Sequence, residues 1–332
     1  MNKPRYGDGF HSVYARGKLT LGTTVPIEAY DSPVPQMHNQ LALIQKVEQA
    51  GFAALWCRDV PLLDPSFGDA GQIYDPWVWL GYIAAHTTTL ALGTGSIILP
   101  LRSPVDLAKA ASSVDQLSQG RLIMGVATGD RPVEYSVYST PFETRDEAFR
   151  QVFEFTRLNS HRPAYWDDQL AVASRQVDLL PKCYAGDLPL FVTGNSRQSV
   201  DWIAEHASGW LMYPRPIQQQ TNILQQWHEA LDKNNQTWKP FSQSLYIDLA
   251  DNSDEPPRPI HLGFRFGRNP LIDHLHALQE IGVNHVTFNL RFCKRPIEAV
   301  LDELAEYVIP LFPRNNLQGN NLQGNKEQEK AV

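Results

Sequence analysis

The chain has 332 residues, a formal net charge of −7, and 42% hydrophobic against 20% charged residues. That length accommodates one large α/β barrel or two ordinary domains. An acidic balance without a basic stripe argues against nucleic acid as a partner, and no window approaches the roughly 18 apolar residues of a membrane span.

Three cysteines, Cys57, Cys183 and Cys293, are odd in number and far apart. They fit free thiols in a reducing compartment better than a disulfide framework. The first residues, MNKPRYGDGFH, lack the apolar segment of a secretory signal. A cytoplasmic location is expected.

In chain order, Leu19 to Val25 is β-rich and apolar enough for a buried strand. Gln36 to Ala50 predicts a helix with Leu41, Ile44 and Val47 on one face and Gly51 as its stop. Ala53 to Cys57 is a second short apolar run. A Pro/Gly/Asp-containing loop from Arg58 to Asp75 then leads to a helix over Pro76 to His86.

Leu90 to Pro132 is the best-punctuated stretch and reads as strand, loop, helix, strand, loop. Gly93-Thr94-Gly95-Ser96 marks the first strand and Ala127-Thr128-Gly129-Asp130 closes the second. Between them, Ser103-Pro104-Val105-Asp106 has a capping serine, proline at the first helical position and an acid in the first turn. Gln119-Gly120 supplies the left-handed stop. Such a unit builds parallel sheets.

Beyond a loop at Asp130 to Thr140, Glu143 to Leu158 is an amphipathic helix, and residues 159–188 read as an irregular lid or surface insertion. Strands are expected at Leu188 to Thr193, Gly209 to Tyr213, Ser244 to Ala250 and His285 to Leu290, with helices through His206, over Pro216 to Lys233, and over Pro270 to Ile281. A last helix runs from Pro296 to Pro310. Eight strand-like runs, nearly all separated by helical ones, predict a (β/α)8 TIM barrel over residues 1–313. The tail, 314–332, carries NNLQG twice and no apolar face, so it is expected to be disordered. A doubly wound sheet with two domains is the second possibility.

In a barrel the chemistry lies at the C-terminal strand ends. Here those ends are Glu28, Arg58-Asp59, Gly95-Ser96, Thr128-Gly129-Asp130, Gly194-Asn195-Ser196, Tyr213, Asp248 and Asn289 to Arg291. Small residues in the middle of that series let a flat ligand lie against backbone. Gly194 to Ser199 joins a strand to a helix start, where free N–H groups and the helix dipole attract phosphate and where Ser196 and Ser199 add hydroxyls. Asn195 or Ser196 as a simple N-cap explains the same spacing. Arg58-Asp59 and Glu28 are pocket groups or loop ion pairs. Arg265 and Arg268 either grip an anion or pair with the acidic loop Asp251 to Glu255.

Ten histidines show no HExxH, and His274-x-His276 sends its rings to different helix faces, so no metal is expected. No GxSxG elbow is present either. A cradle for a flat phosphorylated molecule without a self-sufficient catalytic group points to a cofactor doing the chemistry.

On GTGSIILPLRSPVDLAKAASSVDQLSQGRLIMGVATGDRP, with GFAALWCRDVP and FVTGNSRQSVDWIAEHASGW in support, the chain resembles the bacterial luciferase-like monooxygenase family. The resemblance implies a (β/α)8 barrel and reduced FMN lying over the strand ends. It places Thr94, Gly95 and Ser96 at the flavin ring, with a non-proline cis peptide at Gly95-Ser96. It places Thr128, Gly129 and Asp130, then Gly194, Asn195, Ser196 and Ser199, at the phosphate. Asp59, Arg58 and Tyr135 are the candidates for substrate or proton handling.

Two departures matter. Light-emitting members carry a histidine where this chain has Arg58-Asp59-Val60, and an arginine and a reactive cysteine where it has Thr128 and Ala127. Luminescence and long-chain aldehyde oxidation are therefore not supported. The implied activity is oxygenation of a small organic molecule with reduced FMN. A deazaflavin-dependent reductase or dehydrogenase, or a non-catalytic flavin-binding protein, are the alternatives. The implied partners are a flavin reductase and a second copy of the chain, paired through residues 76–88 and 104–118 over Ala108, Ala110, Ala111, Ser112 and Ser113.

Overall fold

The structure, a computed structural model, describes residues 5–67, 71–160 and 177–316. Its ten strands are β1 (Thr20–Thr24), β2 (Ala54–Cys57), β3 (Ala91–Ile98), β4 (Leu122–Ala127), β5 (Leu190–Thr193), β6 (Gly209–Met212), β7 (Phe241–Leu249), β8 (Arg258–Ile260), β9 (Gly263–Phe266) and β10 (His285–Asn289). β1 to β7 pair in parallel in chain order, and β10 closes the ring by pairing in parallel with both β7 and β1. The ring is closed, an eight-stranded (β/α)8 barrel as the apolar runs predict.

The helices are α1 (Asp8–Val13), α2 (Gln40–Gln49), α3 (Pro76–His86), α4 (Pro104–Leu117), α5 (Pro132–Val137), α6 (Arg145–Asn159), α7 (Val200–His206), α8 (Ile217–Lys233), α9 (Arg268–Ile281) and α10 (Ile297–Glu303). Their starts follow the predicted chemistry where a cap precedes proline. The Asp75 carboxylate accepts the N–H groups of Trp77 and Val78 at 2.9 and 3.1 Å, and Ser103 caps α4 ahead of Pro104. At the end of α4 the backbone turns left-handed at both Gln119 and Gly120 (φ 59° and 81°), and the Gly120 N–H returns to the Asp115 carbonyl at 2.8 Å.

Four features depart from the sequence reading. Residues Asp8 to Val13, read only as a non-signal N-terminus, form α1 and cover the N-terminal end of the barrel. The Gly9 N–H donates to Gly120 O at 3.0 Å, and a Cβ on Gly9 would lie 2.4 Å from Arg121 O, so only glycine permits this contact. The loop expected at Asp130 to Thr140 contains α5, and the run after the Pro-rich loop forms the antiparallel hairpin β8–β9. β7 begins three residues earlier than expected, and its C-terminal half passes beyond the ring to pair with β9.

Of the five small residues on α4, Ala108, Ala111 and Ser112 are 1%, 0% and 2% exposed and pack within the chain, whereas Ala110 and Ser113 are partly exposed. At the C-terminus the final helix widens into a π turn over Leu304–Val308 and then tightens into a 3-10 turn over Ile309–Leu311. Asn315, inside the predicted tail, bonds through its N–H to Ser12 O at 2.8 Å. Residues 317–332 of that tail, and 161–176 of the expected lid, lie outside the described residues. Among the described residues no helix is long and apolar enough to cross a membrane, no cluster of His, Cys, Asp and Glu is arranged to hold a metal, and all three cysteines are free and buried.

Candidate active site at the barrel mouth

Side chains alternate along a strand, so residues two apart share the barrel axis. Near the N-terminal end the inward set is Thr20, Ala54, Trp56, Phe191 and His285, packed under Phe10 and Tyr14 of the N-terminal segment. Gly93 is required there, because a Cβ would lie 2.3 Å from the Trp56 ring.

Toward the other end the same inward series continues as Thr24, Arg58, Gly95, Ala127, Thr193, Tyr213, Ser244, Tyr246 and Asn289. With Gly129, Arg291 and the hairpin residues His261 and Leu262, they line a cavity of about 440 Å³. Its size is that of a small-ligand pocket, and its position is where barrel enzymes carry their sites.

Several expected residues meet here. The Gly95–Ser96 peptide is cis. A Cβ on Gly95 would touch only the Trp56 ring, at 3.8 Å, leaving that wall low. Gly129 adopts φ +74° and packs its bare Cα on Ile98. The Ser96 and Thr193 hydroxyls hydrogen-bond each other across β4, where Gly125 leaves room for them. Arg58 lines the cavity, and its carbonyl accepts Gln72 Nε2 at 2.8 Å.

Others play different parts. Asp59 is a clamp: it accepts the Ile98 N–H at 3.1 Å and pairs with Arg102 at 2.5 Å, tying the loop after β2 to the loop after β3. Burial raises its carboxyl, with Arg102 and the Ile98 N–H pulling the other way. Thr94 is buried, with its hydroxyl given to Gly125 O at 2.8 Å. Tyr135 lies outside the cavity lining and donates its hydroxyl to Thr128 O. Burial pushes that phenol up to about 12.

The turn after β5 differs from the simple strand-to-helix junction. Gly194, Ser196 and Arg197 are all left-handed, and α7 starts only at Val200, capped by the Ser199 hydroxyl at 3.1 Å from Trp202 N. The Gly194 and Gln198 N–H groups are already bonded to Leu211 O and Asn195 O, and Ser196 donates to Thr193 O at 2.7 Å. Asn195, Ser196 and Ser199 lie outside the cavity lining, which the turn borders through Gly194 and Tyr213.

The remaining charged candidates are held by structure. Glu28 accepts the N–H groups of Gln36 and Met37 at 2.7 and 2.9 Å. Arg265 pairs with Asp248 at 2.7 Å and with Glu255 of the acidic loop at 3.0 Å. Arg268 pairs instead with Glu303 at 2.9 Å. Sequence reasoning missed Gln243 and Ser244, although two polar residues inside the apolar run of β7 were the signal for them. It also missed Glu134 and His261, for which no local pattern exists.

With the fold and cavity in place, comparison with known proteins gives the family. The profile described as luciferase-like monooxygenase matches residues 18–255, and the chain belongs to that family of oxidoreductases. The alkanal monooxygenase alpha chain of Photorhabdus luminescens is 27% identical over 161 residues, 48% of this chain and 43% of that relative, so the shared part is less than half of it. Monooxygenase RslO1 from Streptomyces bottropensis is similar in fold at a TM-score of 0.72 and 16% identity, covering 88% of this chain and 99% of that one. An F420-dependent secondary alcohol dehydrogenase, solved with an F420–acetone adduct, gives 0.68 at 14% identity, covering 88% and 98%.

Proposed function

We propose that the protein is a flavin-dependent monooxygenase that uses reduced FMN and oxygen on a small organic substrate. The observation that carries this reading is the cavity at the barrel mouth, whose glycine and alanine wall (Gly95, Ala127, Gly129) meets aromatic and hydroxyl side chains. That lining suits a flat ring: bare backbone for its face, Trp56, Tyr213 and Tyr246 for apolar contact, Ser96 and Thr193 for hydrogen bonds. Gly194, Asn195, Ser196 and Ser199, with Thr128 and Asp130, are the residues we assign to the phosphate end.

Bound reduced FMN would supply the electrons that activate oxygen. The chain's own tasks are orientation and exclusion of water. Trp56 and Leu211 make an apolar floor, and the Asp59–Arg102 clamp fixes the loop that carries Arg58 toward the substrate. A deazaflavin-dependent reductase or dehydrogenase is the second reading, favoured by the fold likeness to the F420-dependent alcohol dehydrogenase.

Fluorescence titration with FMN and with a deazaflavin, followed by oxygen uptake with reduced FMN, tests these readings. FMN binding with substrate-dependent oxygen uptake is expected. Binding of deazaflavin with no oxygen uptake overturns the monooxygenase in favour of the second reading. FMN binding without turnover means a binding protein, and failure to bind either overturns all three.

We also propose a homodimer, served by a separate flavin reductase. The support is apolar surface left outside on the two helices: Val78 is 73% exposed and Tyr82 is exposed one turn on along α3, and Leu117 is exposed at the end of α4. Sedimentation at micromolar concentration should give a dimer, and a monomer overturns this part.

A further inference from the structure

Three acids line the cavity, the exposed Asp130 and the buried Asp59 and Glu134, and of the buried two only one is satisfied. Asp59 has both carboxylate oxygens bonded. Glu134, in the first turn of α5, lines the cavity at 1% exposure, yet neither of its oxygens makes a hydrogen bond of ordinary geometry among the described residues, the Leu62 backbone N–H being the donor that lies toward it. Its nearest cation, the Arg131 guanidinium, stands off at 3.7 Å. Elsewhere the chain holds its low-exposure acids tightly: Asp248 to Arg265 at 2.7 Å, and Glu303 to Arg295 and Arg268 at 2.6 and 2.9 Å. Buried polar atoms are normally bonded, so a buried carboxyl without a well-made hydrogen bond and facing a ligand-sized cavity needs a reason.

We propose that Glu134 is the proton-exchanging residue of the cavity, a carboxylic acid that presents its O–H to an acceptor oxygen or nitrogen of the flat ligand bound there. The proposal rests on the flavin reading above and adds a residue that reading does not use. The proton enters from water at the open mouth. If it passes fully to the ligand, the carboxyl O–H bond breaks as a ligand O–H or N–H bond forms, and the carboxylate left behind faces Arg131. The same guanidinium that is too distant to bond the acid is close enough to stabilise its anion.

The groups facing Glu134 agree with a protonated resting form. Burial raises its carboxyl, Arg131 opposes this, and Asp59 after β2 and Asp130 after β4 add to the rise; the Leu62 backbone N–H acts weakly in the opposite sense. On α5 itself the neighbouring Tyr135 hydroxyl is turned to Thr128 O rather than to the acid.

FMN is the probe. Its affinity should be measured by fluorescence between pH 5.5 and 8.5 for wild type, Glu134→Gln and Glu134→Ala, with melting temperatures to confirm folding. Wild type should weaken roughly tenfold as the acid ionises, about the value of one well-made hydrogen bond. Glu134→Gln, a permanent donor of the same shape, should bind at the wild-type low-pH affinity at every pH, and Glu134→Ala should bind weakly throughout.

A Glu134→Gln profile that keeps the wild-type inflection overturns the proposal while leaving the flavin reading intact. So does a Glu134→Gln that only melts earlier, which would make Glu134 a structural partner of Arg131. If FMN binds no variant at any pH, the flavin reading fails. A carbon-13 carboxyl titration of the ligand-free protein then decides the rest: a Glu134 midpoint above the ordinary glutamate range upholds a proton-holding acid, and an ordinary midpoint overturns it.

Discussion

The two ends of this barrel are built from the same eight strands and obey opposite rules. At the N-terminal end the polar groups on the barrel axis bond one another. Thr20 gives its hydroxyl proton to Val13 O at 2.9 Å and so must accept from His285 Nδ1 at 2.8 Å, while His285 Nε2 accepts the Trp56 indole N–H at 3.0 Å. A neutral imidazole in one tautomer satisfies all three residues. At the C-terminal end the inward positions of β1, β3, β4 and β5 shrink to Thr24, Gly95, Ala127 and Thr193, space opens, and Glu134 is left without a well-made hydrogen bond. One end is finished by its own residues. The other is finished by what binds to it.

If that contrast is real, changes at the closed end should cost stability and spare binding, and acid should attack the closed end first. The largest effect belongs to His285, whose pKa complete burial pushes down to about 3. The unfolded chain takes up this proton near 6.5, whereas the folded chain refuses it until about 3. The unfolded state therefore binds more protons in that window, and stability falls as pH drops through it. Up to about 5 kcal/mol becomes pH-dependent in this way. Urea unfolding at pH 7, 5.5 and 4.5 should show a steep loss that His285→Asn flattens. An unchanged slope in the variant would break the comparison.

Arg121 comes next. All five of its guanidinium N–H donors are used: on Ser118 O, on the Thr87 hydroxyl and carbonyl, on Leu90 O and on Ala84 O, each at 2.8 to 3.0 Å. One side chain thus closes the C-terminal turns of α3 and α4 and fixes the start of β3. Arg121→Met should cost about 3–5 kcal/mol, because several carbonyls lose a charged donor at once. Its effect on flavin affinity, measured below the new melting temperature, should be under threefold.

Asp59 sharpens the contrast from the other side, since it sits at the mouth and behaves as a closed-end residue. Asp59→Asn keeps the shape and weakens the tie to Arg102, at a cost of about 2 kcal/mol. If Asp59 serves the loop, melting temperature falls and turnover with bound cofactor changes little. If it handles substrate, turnover collapses while melting stays put.

How much of this was visible in the sequence follows from the range of the forces involved. Strands and helices bounded by glycine, proline and capping acids declared themselves, because those signals act within a turn or two: Asp75-Pro76, Ser103-Pro104 and Gln119-Gly120 all held. Gly95 and Gly129 were legible as strand ends. The plug at Asp8 to Val13 was not, since its apolar residues gain meaning only against Phe191 across the barrel. In Gly194 to Ser199 the spacing offered Asn195 or Ser196 as the cap, and the folded backbone uses Ser199 instead. Glu134 had no local mark at all. Its interest lies in the lack of a well-made hydrogen bond, and that lack is a property of the folded chain alone.

The smallest effect concerns Tyr135, which the sequence offered beside Asp59 as a proton-handling group. Its hydroxyl is spent on Thr128 O and its ring packs edge-on against Phe142 at 5.1 Å. With the phenol pushed up to about 12, it keeps its proton throughout the neutral range. Its observed task is to hold the backbone at Thr128, one residue before Gly129 on the cavity wall. Tyr135→Phe removes one buried hydrogen bond and should cost about 1 kcal/mol, read as a small fall in the urea midpoint. Flavin affinity should slip by a few-fold at most, as the wall loosens without losing a contact group. A loss of turnover by a hundredfold or more with an unchanged midpoint would mean that the ring swings out to the ligand, returning Tyr135 to the chemistry.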